Sequence, residues 1–430
     1  CYFVRMKTYH VITYGCQMNK SDSERVAAVF EHLSYSLVEK MEQADFIVVN
    51  ACSVRQTAID RIWGIVKKCK MLKSKKELTT ILTGCLLDED KKSFQKKFDF
   101  VFNIKKLSEL EKFLHSKQEY TSENYFDTLP KLKKDYLAYV PIMTGCNNYC
   151  SYCAVPYARG REVSRPVKKV VEEVKSLVAS GVKEIHLLGQ NVNSYNPSNG
   201  FSAENPFKQN FAKLLWEVDQ IKDLKRIGFT SSHPKDLHDD VIQALALPKM
   251  INHLHLALQS GDNQILKKMN RKYTAEDFLL LIKKLRKIKP EITIGTDIIV
   301  GFPGETKEQF ENTLKLYEKL RLDISYHAMY SPRSGTKAAE FKDDVSYEEK
   351  KRRWHKIQTL VKKIALEINQ KYLDKVVEVL IDKVTTRYAE GNSLEMKRVR
   401  VKNDNVKVGD LIKVKVNKAQ EWLLYGELIK

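Results

Sequence analysis

Three cysteines stand close together at Cys146, Cys150 and Cys153, in a C-x3-C-x2-C arrangement with Tyr152 just before the last. Thiols that close cannot pair among themselves into useful disulfides, and the spacing is not the paired C-x2-C of a four-ligand zinc site. Three soft thiolates on one short loop suit three irons of a [4Fe–4S] cube and leave the fourth iron open to another ligand. A second set is dispersed: Cys16, Cys52 and Cys85 each follow a short β-branched or apolar run, at 9–14, 46–50 and 79–83. Helical patterns at 21–33 and 57–72 lie between those runs. Alternating β and α elements predict a doubly wound parallel sheet, whose ligands collect at the carboxyl ends of the strands. The three cysteines are therefore expected just past three strand ends, converging on one edge as a second metal site. Cys1 and Cys69 follow no such pattern, and Cys69, among Lys67, Lys68, Lys70 and Lys73, reads as an ordinary thiol.

The elements that must position the first loop form a larger βα series. Strands are predicted at 138–144, 184–189, 226–231, 254–259, 292–300 and 324–331, with helices clearest at 166–180, 275–288 and 307–320. Six strands in series predict a partial (βα)6 barrel, with the cysteine loop after its first strand, at the functional face. Periodicity is lost from about 115 to 135, around Pro130, which reads as a linker. A basic helix at 346–372 leads to short alternating strands at 376–382, 397–401, 411–416 and 422–428, separated by Gly391, 403–405, Gly409 and Gly426. That texture predicts a small antiparallel barrel of the oligonucleotide-binding kind. The fold class is thus α/β, with an N-terminal domain at 1–120, a linker at 121–135, the partial barrel at 136–370 and the small β-barrel at 371–430.

Length and charge agree with several domains and a polyanionic partner. The chain has 430 residues, too many for one ordinary core, and a net charge of +20, for which nucleic acid is the first candidate. On the last barrel, Lys397, Arg398, Arg400 and Lys402 sit near Tyr388, a basic and aromatic combination suited to single-stranded RNA. Eight cysteines are too few for a disulfide scaffold and point to metal ligation in a reducing compartment, the cytoplasm. No apolar run reaches the roughly 18 residues that span a bilayer, and no secretory leader is evident. The chain begins at Cys1 rather than Met, so leading residues are expected before it.

The cysteine loop with Tyr152, followed by a (βα)6 pattern, resembles the radical S-adenosylmethionine (SAM) superfamily. The run GCNNYCSYCAVPYARGREVSRP (145–166) is more specifically similar to the methylthiotransferase family, as are GCQMN (15–19), NACSVR (50–55), TGC (83–85) and GFPGET (301–306). The closing barrel matches the TRAM domain of that family in position and size. GCQMN, NACSVR and GQNVNSY (189–195) resemble the MiaB-like tRNA branch. Two stretches depart from the pattern: Ala51 stands where Thr is usual, and 387–398 replaces the usual Gly-Arg-Thr-like stretch of the last barrel.

The resemblance implies a tRNA methylthiotransferase that places a methylthio group on carbon 2 of N6-isopentenyladenosine, next to the anticodon. It implies that Cys146, Cys150 and Cys153 hold a radical-generating [4Fe–4S] cluster whose open iron binds the amino and carboxylate groups of SAM. Cys16, Cys52 and Cys85 would hold a second, auxiliary [4Fe–4S] cluster carrying the sulfur, and a second SAM would donate the methyl group. Tyr152, Gln259, Ser260, Arg271 and Asp297 would bind SAM. A radical is required because the hydrogen on carbon 2 is neither acidic nor hydridic, so no general base removes it. Arg159, Glu162 and Arg165 order the site or grip RNA, and the sequence does not separate those roles. Expected partners are a tRNA anticodon stem-loop and a reductase, with a monomeric protein and no membrane. Two alternatives stand beside this reading: action on threonylcarbamoyladenosine, and a non-catalytic RNA-binding protein with structural metal.

Overall fold

The computed structural model describes residues 6–54, 56–114, 125–132 and 136–429. Cys1, Arg55 and part of the expected linker lie outside the described residues. Two compact units result: residues 1–134, 139–165 and 331–339, and residues 135–138, 166–330 and 340–430. Residues 139–165, with the three-cysteine loop, thus pack with the N-terminal sheet.

In the first unit, β1 (Thr8–Tyr14), α1 (Gln17–His32), β2 (Ser36–Leu37), β3 (Phe46–Cys52), α2 (Gln56–Lys73), β4 (Thr79–Cys85), α3 (Asp88–Gln95), β5 (Phe100–Val101) and α4 (Leu107–Leu114) follow in order. The sheet is wholly parallel with strand order β2-β1-β3-β4-β5. Alternation along β3 explains why the sequence reads as one apolar run. Phe46 and Val48 join Val26, Val29 and Phe30 of α1 on one face, while Ile47, Val49 and Ala51 join Ile59, Ile62 and Ile65 of α2 on the other. A strand buried on both faces carries no polar alternation. The sequence reading ended β3 and β4 before their cysteines; instead pairing continues through Cys52 and Cys85, so both are terminal strand residues. Cys16 lies just past β1, at the N-cap of α1. Part of the expected linker is core: Tyr125 and Phe126 are buried against α1 and α4.

After β6 (Leu137–Pro141), β7 (Met143–Thr144) and β8 (Val163–Ser164) pair antiparallel and bracket the cysteine loop together with α5 (Val155–Arg159). The second unit continues with α6 (Val167–Ala179), β9 (Glu184–Leu188), α7 (Asn210–Asp219), β10 (Arg226–Phe229), α8 (Asp239–Ala244), β11 (His253–His255), α9 (Asn263–Lys268), α10 (Ala275–Ile288), β12 (Thr293–Val300), α11 (Lys307–Leu320) and β13 (Ile324–Met329). Strand orders β10-β9-β6 and β11-β12-β13 are joined by isolated parallel bridges Ile227–Met250 and Ser232–Leu256, giving the partial six-strand barrel. β10 and β11 stop short of their expected ends, where Ser231 and Gln259 take left-handed backbones, with φ of 68° each. Side-chain residues pay strain there, a feature common at functional rims.

The helix α12 (Tyr347–Gln370), N-capped by Ser346, leads to β14 (Val376–Val384), β15 (Tyr388–Ser393), β16 (Arg398–Lys402), β17 (Leu411–Ala419) and β18 (Leu424–Leu428). They close as a barrel in the order β14-β15-β16-β18-β17, around Val379, Ile381, Val399, Val414 and Leu424. The sequence predicts four of these strands, with Gly391 as a separator. Gly391 is instead inside β15, where a Cβ would stand 2.1 Å from the Leu380 carbonyl oxygen. The barrel is tied to the six-strand half-barrel by hydrogen bonds: Arg226 to the carbonyls of Asn392 and Glu378 at 3.1 and 3.0 Å, Lys183 to that of Gly409 at 2.7 Å, and the Asn252 amide to that of Leu394 at 2.7 Å. No helix among the described residues is long and apolar enough to cross a membrane.

Gly391→Ala is expected to destabilise the small barrel by about 1–3 kcal/mol, the range for overpacking. A lowered midpoint in a denaturant melt, with the N-terminal sheet unaffected, checks it.

Candidate metal centre and cofactor-binding rim

The auxiliary cysteines meet where a sheet of this strand order places its ligands. The order reverses between β1 and β3, and crevices at such a point open beyond the strand carboxyl ends. Cys16 follows β1, Cys52 ends β3, and Cys85, opposite Cys52 in register, ends β4. The Cys52 and Cys85 thiols are hydrogen bonded to each other. That bond, with burial, pushes Cys85 well above the usual thiol range and, accepting from Cys85, holds Cys52 below it.

Two buried asparagines fix the cysteine-bearing loops. The Asn19 Oδ1 accepts from the Cys16 amide at 3.2 Å, while its Nδ2 donates to Asn50 Oδ1 at 3.0 Å and lies 3.8 Å from Cys85 Sγ. Asn50 Nδ2 returns bonds to the Asn19 carbonyl at 2.8 Å and Ser23 Oγ at 2.9 Å. Gly15 is required beside them, since its Cβ would fall 2.1 Å from Asn19 Oδ1. Arg159, at the end of α5, completes this corner. Its Nε donates to Cys85 Sγ at 2.8 Å and its Nη2 to Asp22 Oδ2 at 2.5 Å, while Tyr125 donates to Asp22 Oδ1 at 2.6 Å.

The three-cysteine loop is stitched to the segment that follows it. The Cys146 amide donates to the Gly160 carbonyl at 3.1 Å, and the Asn147 amide donates to Glu162 Oε1 at 3.1 Å. Gly145 has φ of 84°, and a Cβ there would meet the Arg161 carbonyl oxygen at 1.9 Å. Glu162 therefore orders the loop, while Arg165 donates to the carbonyls of Phe126 at 3.2 Å and Pro141 at 3.4 Å, outside it. Cys146 and Cys150 are buried and Cys153 half-buried, like Tyr152. Burial pushes the Cys146 thiol up to about 11. All described cysteines are free, and among the described residues no group of three His, Cys, Asp or Glu is arranged to hold a metal ion. The donor chemistry fits iron–sulfur groups: both sets are all-sulfur, Cys85, Cys146 and Cys150 are buried while Cys52 and Cys153 are half-buried and Cys16 is exposed, and two hydrogen-bond donors, from Asn19 and Arg159, face the Cys85 sulfur.

The other expected cofactor residues belong to the second unit. Buried polar atoms gather at the ends of its strands with no hydrogen-bonding partner in the protein: Gln190 Oε1 and both side-chain polar atoms of Asn193 after β9, Ser232 Oγ after β10, and Gln259 Oε1 after β11. Orphaned buried polar atoms are rare, and a group of them at one rim fits a polar cofactor such as SAM. Ser260 is fully buried and caps a turn, its Oγ accepting from the Asp262 amide at 3.2 Å. Arg271 donates to the Ala257 carbonyl at 3.0 Å and to Tyr273 Oη at 3.1 Å. Burial, with the Arg271 charge, holds the nearby His233 down to about 2, so it is neutral. Asp297 pairs with His255 at 2.8 Å, a partner that sequence reasoning missed because His255 belongs to no motif.

On the small barrel, Arg400 lies 4.3 Å from the Tyr388 ring centroid and 5.7 Å from that of Tyr425, with Lys402 exposed on the same strand. Arg398 and Arg400 share Glu390, at 3.0 and 2.7 Å. Lys397 turns away from this face to Asp323 at 2.8 Å and is nearly buried.

A partial (βα)6 barrel and, before it in the chain, a doubly wound sheet with cysteines at three strand ends define a protein of the radical SAM class. The family described as the Radical SAM superfamily matches residues 140–317, and the Uncharacterized protein family UPF0004 matches residues 8–104. A tRNA-2-methylthio-N(6)-dimethylallyladenosine synthase from Caldicellulosiruptor saccharolyticus is 42% identical over 443 residues, covering 98% of this chain and 93% of that protein. One from Alkaliphilus oremlandii is 40% identical over 446 residues, covering 99% and 93%. Among solved structures, a radical SAM methyltransferase from Kitasatospora setae superposes with a TM-score of 0.56 at 13% identity, over 78% of this chain and 74% of that one, a likeness of fold alone. The chain belongs to the family of tRNA-2-methylthio-N(6)-dimethylallyladenosine synthases.

Asn19→Ala leaves Asn50 Oδ1 and the Cys16 amide without their partner in a buried site, which costs about 1–3 kcal/mol per stranded group. A urea melt of the metal-free chain is expected to show this loss.

Proposed function

We propose that this chain transfers a methylthio group to carbon 2 of N6-isopentenyladenosine in tRNA, at the position next to the anticodon. The observation that carries the reading is the gathering of two all-cysteine sets in one compact unit, Cys146, Cys150 and Cys153 on one loop and Cys16, Cys52 and Cys85 at three strand ends. When bound, the [4Fe–4S] clusters on these sets supply the electron that cleaves SAM and the sulfur that is methylated and transferred. Full-length relatives named for this reaction support the assignment.

The chain's own residues orient and exclude. Gln259, Ser260, Arg271 and Asp297 bind SAM, and Gln190 and Asn193 offer it further polar contacts. Arg271, braced on the Ala257 carbonyl, presents a fixed positive charge. The burial of Cys146 and Cys150 keeps water from the reacting centre. The substrate base must leave its stack to be reached. Residues 371–430 act as a TRAM-type module in which Arg398, Arg400 and Lys402, with Tyr388 and Tyr425, grip the RNA by charge and stacking. Lys397 is spent on Asp323 and adds nothing to that grip. A reductase is the remaining partner, and the protein works in the cytoplasm as a monomer.

Nucleosides digested from the tRNA of a host lacking this activity test the reading. Expression of the chain is expected to yield 2-methylthio-N6-isopentenyladenosine by mass spectrometry; product on threonylcarbamoyladenosine alone would refute the substrate assignment. After anaerobic reconstitution, iron is expected at about eight per chain, falling by about half when Cys146, Cys150 and Cys153 become Ala. Iron content indifferent to that change would refute the two-cluster reading.

A further inference from the structure

Arg159 is an unusual neighbour for a cysteine. Its side chain is 3% exposed and its partner Asp22 is fully buried. Buried ion pairs roughly break even as stabilisers, because desolvation offsets attraction. An ion pair with Asp22 alone would satisfy the guanidinium's charge, yet Nε is turned to Cys85 Sγ at 2.8 Å while Nη2 takes Asp22 at 2.5 Å. The arrangement is held from both ends. Tyr125 fixes Asp22 at 2.6 Å, and Lys105 Nζ grips the Arg159 carbonyl. Arg159 also closes α5, which begins two residues after Cys153, so the loop bearing one cysteine set carries the donor to the other.

We propose that Arg159 is a positioning residue of the auxiliary site, whose Nε–H···Sγ bond orients Cys85 and raises the reduction potential of the iron–sulfur group bound there. The inference rests on the reading that Cys16, Cys52 and Cys85 hold such a group. Hydrogen bonds to ligand sulfurs and nearby charge set cluster potentials, and groups behind the ligands orient them. A cationic donor favours the more negative, reduced state, so the sign is fixed: removing it drives the potential down. Asn19, 3.8 Å from the same sulfur, is neutral and more distant, leaving Arg159 the dominant donor among the described residues.

The test uses the full chain carrying Cys146→Ala, Cys150→Ala and Cys153→Ala, reconstituted anaerobically so that only the auxiliary group remains. Its midpoint potential is read by electron paramagnetic resonance during potentiometric titration, with iron counted in each sample. Arg159→Met is expected to shift the midpoint to more negative values, beyond replicate spread, with iron retained at about four per chain. Arg159→Lys, which keeps the charge but loses the fork, is expected to fall between. Tyr125→Phe, which loosens Asp22 and leaves the sulfur bond intact, is expected to keep the parent midpoint. An unchanged midpoint in an iron-replete Arg159→Met protein overturns the proposal, as does an equal shift in Tyr125→Phe. If Arg159→Met does not fold, Arg159→Lys decides by the same criterion. A parent protein that binds no iron overturns the two-cluster reading itself, which keeps the two failures apart.

Discussion

In-register parallel pairing of β3 with β4, from Phe46–Thr79 to Cys52–Cys85, is the constraint on which the N-terminal unit depends. Adjacent strands lie about 4.8 Å apart, so a matched register sets two sulfurs side by side without any contribution from loops. A slip of one residue would turn one of them to the opposite face. The register is enforced by burial on both faces, since a slipped β3 would exchange the residues packed on α1 for those packed on α2. Gly84 serves the same pairing: with φ of 119° it lets the chain pass where a Cβ would strike the Ala51 carbonyl oxygen at 2.0 Å. The third sulfur, on Cys16, depends instead on a helix start, held by Asn19.

Much of this was legible in the sequence because it is written in local patterns. Apolar runs followed by a cysteine announced β1, β3 and β4, and the (βα) series and the family resemblance followed from contiguous motifs. What was not legible depends on contacts between distant segments. The Arg159–Cys85 bond joins residues 74 apart, and the Tyr125–Asp22 bond joins residues 103 apart. Tyr125 and Phe126 looked like linker because a single-turn segment carries no periodicity, yet they complete the core. β15 was hidden by a glycine that marks close backbone approach rather than a turn. Four basic residues near 397–402 looked equivalent, but strand alternation and an acidic neighbour at Asp323 divert Lys397 from the others.

The two left-handed residues at the rim, Ser231 and Gln259, connect strain to ligand chemistry. Each lies at the rim of a barrel strand, and Gln259 itself and Ser232, the residue after Ser231, carry a buried side-chain oxygen with no protein partner. A scaffold built only for stability would relieve both, since backbone strain and an unpaired polar atom each cost of order 1–3 kcal/mol. Strain and unpaired oxygen thus stand side by side at two adjacent strand ends.

The hydrogen bonds from Arg226, Lys183 and Asn252 into the small barrel change what that barrel can be. A module on a flexible chain would sample many positions. One whose backbone carbonyls are gripped by the half-barrel has no such freedom and acts as a ruler, holding a set span between the Tyr388–Arg400 face and the strand-end rim.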